Sequence, residues 1–289
     1  MALLVIFHAK GQTQRMIDPE TGQPIGEDCS PINKTNTVPL LKKSILPVSL
    51  TDVYAHNAGL DSAEKQMVKD FVDSCRPFLN KFYAIYFFIG GNTNAHKINF
   101  INPFDNGYAF SLQFPNGATH DADGVFFDGS QSQYANTQMI PALMLDENVG
   151  ASYYLHNTVP GGAIISNSTG SFSIWRRDDD GKAYGYIGGS ASGIPVPDYR
   201  GFGTIQRNRD TIEVFNSGIL SGNVTSSSAG SLSSELPIKL SQNYTSPQAS
   251  SLTWGFAAIH QTLTPEEQLT LFNAVEFMQV KEGRDVSPL

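Results

Sequence analysis

The sequence predicts an all-β sandwich, on three observations. From about residue 107 onward, short apolar runs alternate with clusters of Gly, Asn, Asp and Ser. Turn-forming groups separate the runs: Pro115–Gly117, Asp128–Gly129, Asp180–Gly181 and Asn216–Gly218. Charged residues are only 16% of the chain, while it holds 26 Gly, 11 Tyr and 18 Phe. A disordered chain would be charged and poor in aromatics, and a coiled coil would be rich in Ala, Glu, Lys and Leu. With 289 residues the chain is long enough for one large domain or two modest ones.

The first segment, 1–60, reads as irregular. Met1–Phe7 is apolar, is not preceded by positive charge, and lacks a small-residue cleavage site, so it reads as a strand and not as a signal peptide. Pro24, Pro31, Pro39 and Pro47 interrupt long elements. Five basic and five acidic residues cancel here, so the net charge of −8 belongs to residues 61–289. An extended arm that packs on a neighbouring subunit fits this pattern, and so does an edge hairpin with loops.

A lead-in follows over 61–106. Asp61 and Glu64 make a capping-box arrangement, and Met67, Val68, Phe71, Val72 and Cys75 recur at helical spacing. The spacing predicts a helix over 61–79, with Pro77 at its end. Phe82–Ile89 is a solid apolar run stopped by Gly90 and Gly91, which predicts a buried strand.

The sandwich itself occupies 107–289. The predicted strands are Tyr108–Phe114, Val125–Phe127, Gly150–Leu155, Gly162–Ile165, Phe172–Trp175, Tyr184–Ile187, Phe202–Gln206, Thr211–Phe215 and Trp254–Ile259. Asp180–Gly181, flanked by Trp175 and Tyr184, predicts a hairpin. The Ser-rich stretch 217–234 reads as a long surface loop. A final helix starts at Thr264, with Pro265 in the first turn and Glu267 closing a second capping box. Leu271, Val275 and Met278 line one of its faces, and Gly283 follows its end.

Charge and cysteine content narrow the function. Residues 98–175 and 210–238 contain no Lys or Arg, which speaks against nucleic acid, whose binding needs cations on phosphates. No stretch approaches the ~20 apolar residues that span a bilayer, so membrane insertion is not expected. The two cysteines, Cys29 and Cys75, are too few for a disulfide framework and lack zinc spacing. Cys75 reads as a buried free thiol, and a bridge to Cys29 stays open.

Candidate chemistry is sparse. Asp178–Asp180 reads as a hairpin tip, and Asp128 before Gly129 as a turn cap. The six histidines (His8, His56, His96, His120, His156 and His260) lack metal-ligand spacing, so no metal or other cofactor is expected. Neither a nucleophile elbow nor an alternating carboxylate strand is present, so no catalytic residue is assigned. Aromatic side chains in or near strands offer the remaining chemistry, because their rings stack on the apolar faces of sugars. Trp175, Tyr184, Tyr186 and Tyr199 are the candidate glycan-binding residues, with Tyr184 and Tyr186 on one face by alternation. Tyr153 and Tyr154 read as strand aromatics of the same kind.

Two segments resemble known proteins. Thr253–Val280 (TWGFAAIHQTLTPEEQLTLFNAVEFMQV) resembles the end of laminin-G-like, or concanavalin A-like, jelly rolls, where a last strand "FAFIG" passes through an "LT-E" cap into a docking helix. Gly124–Ser130 (GVFFDGS) with Tyr134–Thr137 (YANT) is similar to the "FDG…Y" strand of those domains. Upstream, Lys81–Gly91 (KFYAIYFFIGG), His96–Asn99 (HKIN) and Asn102–Asp105 (NPFD) resemble the "KAIYPFVGGTASSHKYNLKDPRD" lead-in of virion structural proteins from tailed phages, especially those infecting Bacteroidetes. The resemblance covers about residues 60–285. It implies a LamG-like jelly roll carried on a virion as a tail, fibre, baseplate or head-decoration component. The partners so implied are other virion proteins, further copies of the chain and a host-surface glycan. A free lectin module and a polysaccharide depolymerase on the same fold are the alternative readings.

Overall fold

The computed structural model describes residues 48–103, 110–143, 148–157, 163–167, 171–177, 181–188, 193–196, 200–225, 232, 235–242 and 251–286. They belong to one unit, Leu46–Leu289. Two antiparallel sheets and a helical layer make up the described part.

The larger sheet has eight strands. In chain order they are β1 (Phe82–Phe87), β2 (Thr119–Asp121), β3 (Gly124–Phe127), β5 (Asn148–Leu155), β10 (Gly201–Asn208), β11 (Thr211–Asn216), β12 (Ile219–Thr225) and β14 (Leu252–Gln261). The spatial order is β12-β11-β10-β5-β14-β3-β2, with β1 also paired to β14. On the side of β14 away from β5, Leu252–Trp254 pair with β3 and Phe256–His260 pair with β1. The smaller sheet has six strands in the order β4-β13-β6-β7-β8-β9. These are β4 (Ala135–Asn136), β6 (Ala163–Asn167), β7 (Phe172–Arg177), β8 (Lys182–Ile187), β9 (Ile194–Pro195) and β13 (Ile238–Leu240).

Between the sheets lies one core, with Tyr86, Phe127, Tyr153, Ile205, Ile212 and Trp254 from the larger sheet and Ile165, Phe172, Ile174, Ile187, Ile238 and Leu240 from the smaller. The other face of the larger sheet is covered by helices α1 (Val48–Ala58), α2 (Ser62–Cys75) and α4 (Pro265–Lys281). There Phe82, Ile85, Phe87, Tyr154, Phe202 and Phe256 meet Tyr54, Phe71, Val72, Leu271 and Val275. Strand β1 is buried on both faces, and its unbroken apolar run follows from that. In the smaller sheet β8 alternates, whereas on the central strands β6 and β7 the outward-facing Ser166 and Ser173 are buried as well.

Both predicted capping boxes form. Asp61 accepts from Ala63 N and Glu64 N, and Glu64 accepts from the Asp61 backbone. Thr264 accepts from Glu267 N while Glu267 accepts from Thr264 N. Helix α2 ends at Cys75, and Pro77 falls in a 3-10 segment, Arg76–Lys81. Cys75 is free and buried, and burial pushes its thiol pKa well up.

Several sequence expectations need correction. The segment 1–60 is not irregular throughout, because Val48–Ala58 is helical and buries Leu50, Tyr54, Ala55 and Ala58. Residues 1–47, with Cys29 and His8, lie outside the described residues. The lead-in therefore holds more than one helix, including a short α3 at Thr93–Lys97. The Ser-rich stretch is not all loop, since Ile219–Thr225 is β12. Of the predicted strand Tyr108–Phe114, the described part shows only a single bridge, Gln113 to Asn136. The tip Asp178–Asp180 lies outside the described residues, but β7 and β8 pair as predicted around it, and Gly181 takes the positive φ of +66° that its turn requires.

Candidate functional site

Among the described residues the helical layer covers the outer face of the larger sheet only, and the outer face of the smaller sheet is exposed toward its β8 edge, at Tyr186, while Ser166 and Ser173 at its centre are buried. Register decides what it carries. Trp175 pairs with Tyr184, and Ser173 pairs with Tyr186, so all four share this face. Tyr186 is 37% exposed, while Trp175 and Tyr184 are half-buried. The Tyr184 ring lies against the backbone of Gly193, where an added Cβ would sit 2.4 Å from the ring carbon Cζ. A larger residue there would push the ring away. Tyr199 lies outside the described residues. Tyr153 and Tyr154 are not part of this face: both are buried in the larger sheet.

Across the strands the same face continues as a polar row. Tyr186 is followed by Ser173, Ser166, Lys239 and Asn136 on successive strands. At about 4.8 Å between strands the row is roughly 19 Å long. Ser166 Oγ donates to the Gln242 carbonyl. The Ser173 hydroxyl is buried and makes no hydrogen bond, a state that costs about 1–3 kcal/mol. Lys239 holds its ammonium 4.8 Å from the centre of the Tyr134 ring, and burial lowers its pKa. The six strands contain Arg176, Arg177, Lys182 and Lys239 but no Asp or Glu. Within them, therefore, no carboxylate pair of the kind that cleaves glycosidic bonds is present.

Sequence reasoning placed Trp175, Tyr184 and Tyr186 but missed Ser173, Ser166, Lys239, Asn136 and Tyr134. Ser173, Ser166, Lys239 and Asn136 lie on strands of two to six residues separated by loops, with Tyr134 just before one of them, and only the pairing register aligns them.

The remaining chemical groups are structural. Ser152 Oγ lies 2.8 Å from His260 Nε2, and His260 Nδ1 lies 2.7 Å from the Gln261 carbonyl. The carbonyl can only accept, so Nδ1 carries the proton and Nε2 accepts from Ser152. Ser152 in turn lies 2.7 Å from Thr204 Oγ1. This resembles a nucleophile–base pair, but Ser152, Thr204 and His260 are all fully buried, so a substrate has no access. His96 and His120 approach Nδ1 to Nδ1 at 3.0 Å, with ring centres 5.2 Å apart. The nitrogens thus point at each other and share one proton; they do not converge on a metal. Among the described residues no group of three His, Cys, Asp or Glu could hold a metal ion. Arg284 is buried and donates to the carbonyls of Phe88, just past β1, and Ala122, in the β2–β3 turn, tying the segment after α4 to the ends of these strands. The predicted cap is present: Asp128 accepts from Ser130 N.

No protein-family model matches the chain, and no curated protein matches it. Among solved structures the chain is similar to Trypanosoma rangeli sialidase, at 12% identity and a TM-score of 0.47, over 78% of this chain and 40% of that one. It is also similar to domain 4 of AbnA, a GH43 extracellular arabinanase from Geobacillus stearothermophilus, solved with arabinotriose, at 12% identity and a TM-score of 0.41, over 66% of this chain and 98% of that one. A third similar structure is the binding domain of botulinum neurotoxin serotype D, at 13% identity and a TM-score of 0.45, over 66% of this chain and 52% of that one. At such scores none of these likenesses bears on activity or ligand.

Proposed function

We propose that this protein is a non-catalytic glycan-binding module displayed on a bacteriophage particle. One observation carries the glycan reading: on the outer face of the smaller sheet, which the helical layer does not cover among the described residues, Tyr186 is exposed beside half-buried Trp175 and Tyr184, with half-buried Lys239 and Asn136 further along the same face. Aromatic rings supply stacking on pyranose faces, and the polar row supplies donors and acceptors for sugar hydroxyls. The virion placement rests on the lead-in motif at Lys81–Asp105. Mass spectrometry of purified phage particles tests it, with the protein recovered at structural copy number as the expected result. Release of reducing ends from host polysaccharide by the purified chain would overturn the non-catalytic reading.

A further inference from the structure

Five of the seven exposed large apolar side chains in the described structure gather in one region: Ile219 and Leu220 at the start of β12, and Leu269, Phe277 and Val280 on α4. The other two, Tyr186 and Leu236, are elsewhere. On α4 the exposed positions Glu266, Leu269, Asn273, Phe277 and Val280 recur at steps of three and four, which puts them on one stripe facing away from the sandwich. Gly218 packs against Leu269 and Phe272, so the β11–β12 turn sets Ile219 and Leu220 beside the Leu269 end of that stripe. Most solvent-facing helix surfaces are polar, and exposed apolar side chains gathered on one stripe and the adjoining turn mark an interface.

The stripe is complementary to itself. Turned about a two-fold axis at Asn273, two copies of α4 run antiparallel. Leu269 of each then meets Phe277 of the other, and Asn273 meets Asn273. Glu266 at the first turn reaches Lys281 at the last turn of the second copy, opposite charges on a seam that otherwise carries none. Ile219 and Leu220 extend the contact toward the second copy's Phe277 and Val280. We propose that this face, centred on Asn273, is a two-fold interface between two copies of the chain. A 17-residue helix is about 25 Å long. With the adjoining turn it is small beside the ~800 Å² per partner of a standard interface, so a weak, concentration-dependent association is expected.

Sedimentation equilibrium on the full chain tests this, with circular dichroism as the check on folding. The wild-type protein is expected to show a concentration-dependent monomer–dimer equilibrium. Leu269→Lys, at an exposed site, is expected to weaken it at least tenfold. Glu266→Lys and Lys281→Glu are each expected to weaken it, and the double exchange E266K/K281E to restore it, because the pair reforms with its signs swapped. A chain that stays monomeric into the millimolar range overturns the proposal. So does a dimer indifferent to Leu269→Lys, or single-charge losses that the double exchange fails to recover.

Discussion

Acid should unfold this protein in a pH window set by buried histidines. His260 is fully buried, and burial lowers its pKa to about 4. Its added proton would have to go on Nε2, reversing the hydrogen bonds through Ser152 to Thr204 and leaving a charged ring in the core. His156 is lowered to about 4, by burial first and then by the nearby positive charge of Arg284. In the unfolded chain both return to about 6.5. Unfolding therefore takes up protons between about pH 6.5 and pH 4, and stability falls as the pH falls through that range. At 1.36 kcal/mol per pKa unit, each histidine removes about 2.5 kcal/mol by pH 4.5, or about 5 kcal/mol for the two. That is a large share of a typical stability of 5–15 kcal/mol. The shared-proton pair His96–His120 shifts in the same direction, again chiefly by burial. Exposed carboxylates such as Asp73 and Glu266 act at lower pH and add little. Urea titrations followed by fluorescence of the buried Trp254 measure the effect. Stability at pH 4.5 should lie about 5 kcal/mol or more below that at pH 7, and His260→Gln should remove about half of the two-histidine part. A loss below about 1 kcal/mol, or an unchanged slope in a variant with both His156 and His260 replaced by Gln, refutes the reasoning.

Other outcomes follow from single contacts. Gly124→Ala would place a Cβ 2.1 Å from the Trp254 carbonyl at a φ of +114°, inside the β3–β14 pairing. A loss of about 3 kcal/mol or more is expected, read as a fall in Tm of about 6 °C or more by calorimetry. Thr264→Ala removes the hydroxyl that caps α4 and should cost about 1 kcal/mol in urea titration. Leu269→Lys, exposed on α4, should leave Tm within about 2 °C while weakening self-association in sedimentation.

Burial on two faces or on one determined how legible each element was. Strand β1 and helices α2 and α4 carry apolar periodicity and caps that can be read directly from the residues. Strand β12 escaped because it is exposed along most of its length and shows no alternation. Helix α1 is hidden in the sequence because Pro47 looks like a breaker, although it stands just before the first helical residue, where proline is tolerated. The spacing of Leu50, Tyr54, Ala55 and Ala58 was the signal available. At the candidate site, alternation placed Tyr184 with Tyr186, and hairpin pairing added Trp175. The rest of the row depends on register between β13 and β6, strands some seventy residues apart, which no local pattern encodes.

The central proposal is that the aromatic end of the six-stranded sheet's outer face, at Trp175, Tyr184 and Tyr186, binds glycan without cleaving it. Glycan-array binding by the wild-type chain, beside Tyr186→Ala and Trp175→Ala variants of unchanged Tm, tests it most directly. The account predicts that at least one glycan class is retained intact by the wild type and that its binding falls at least tenfold in each variant. Binding that survives both substitutions, or no binding to any glycan, would contradict it.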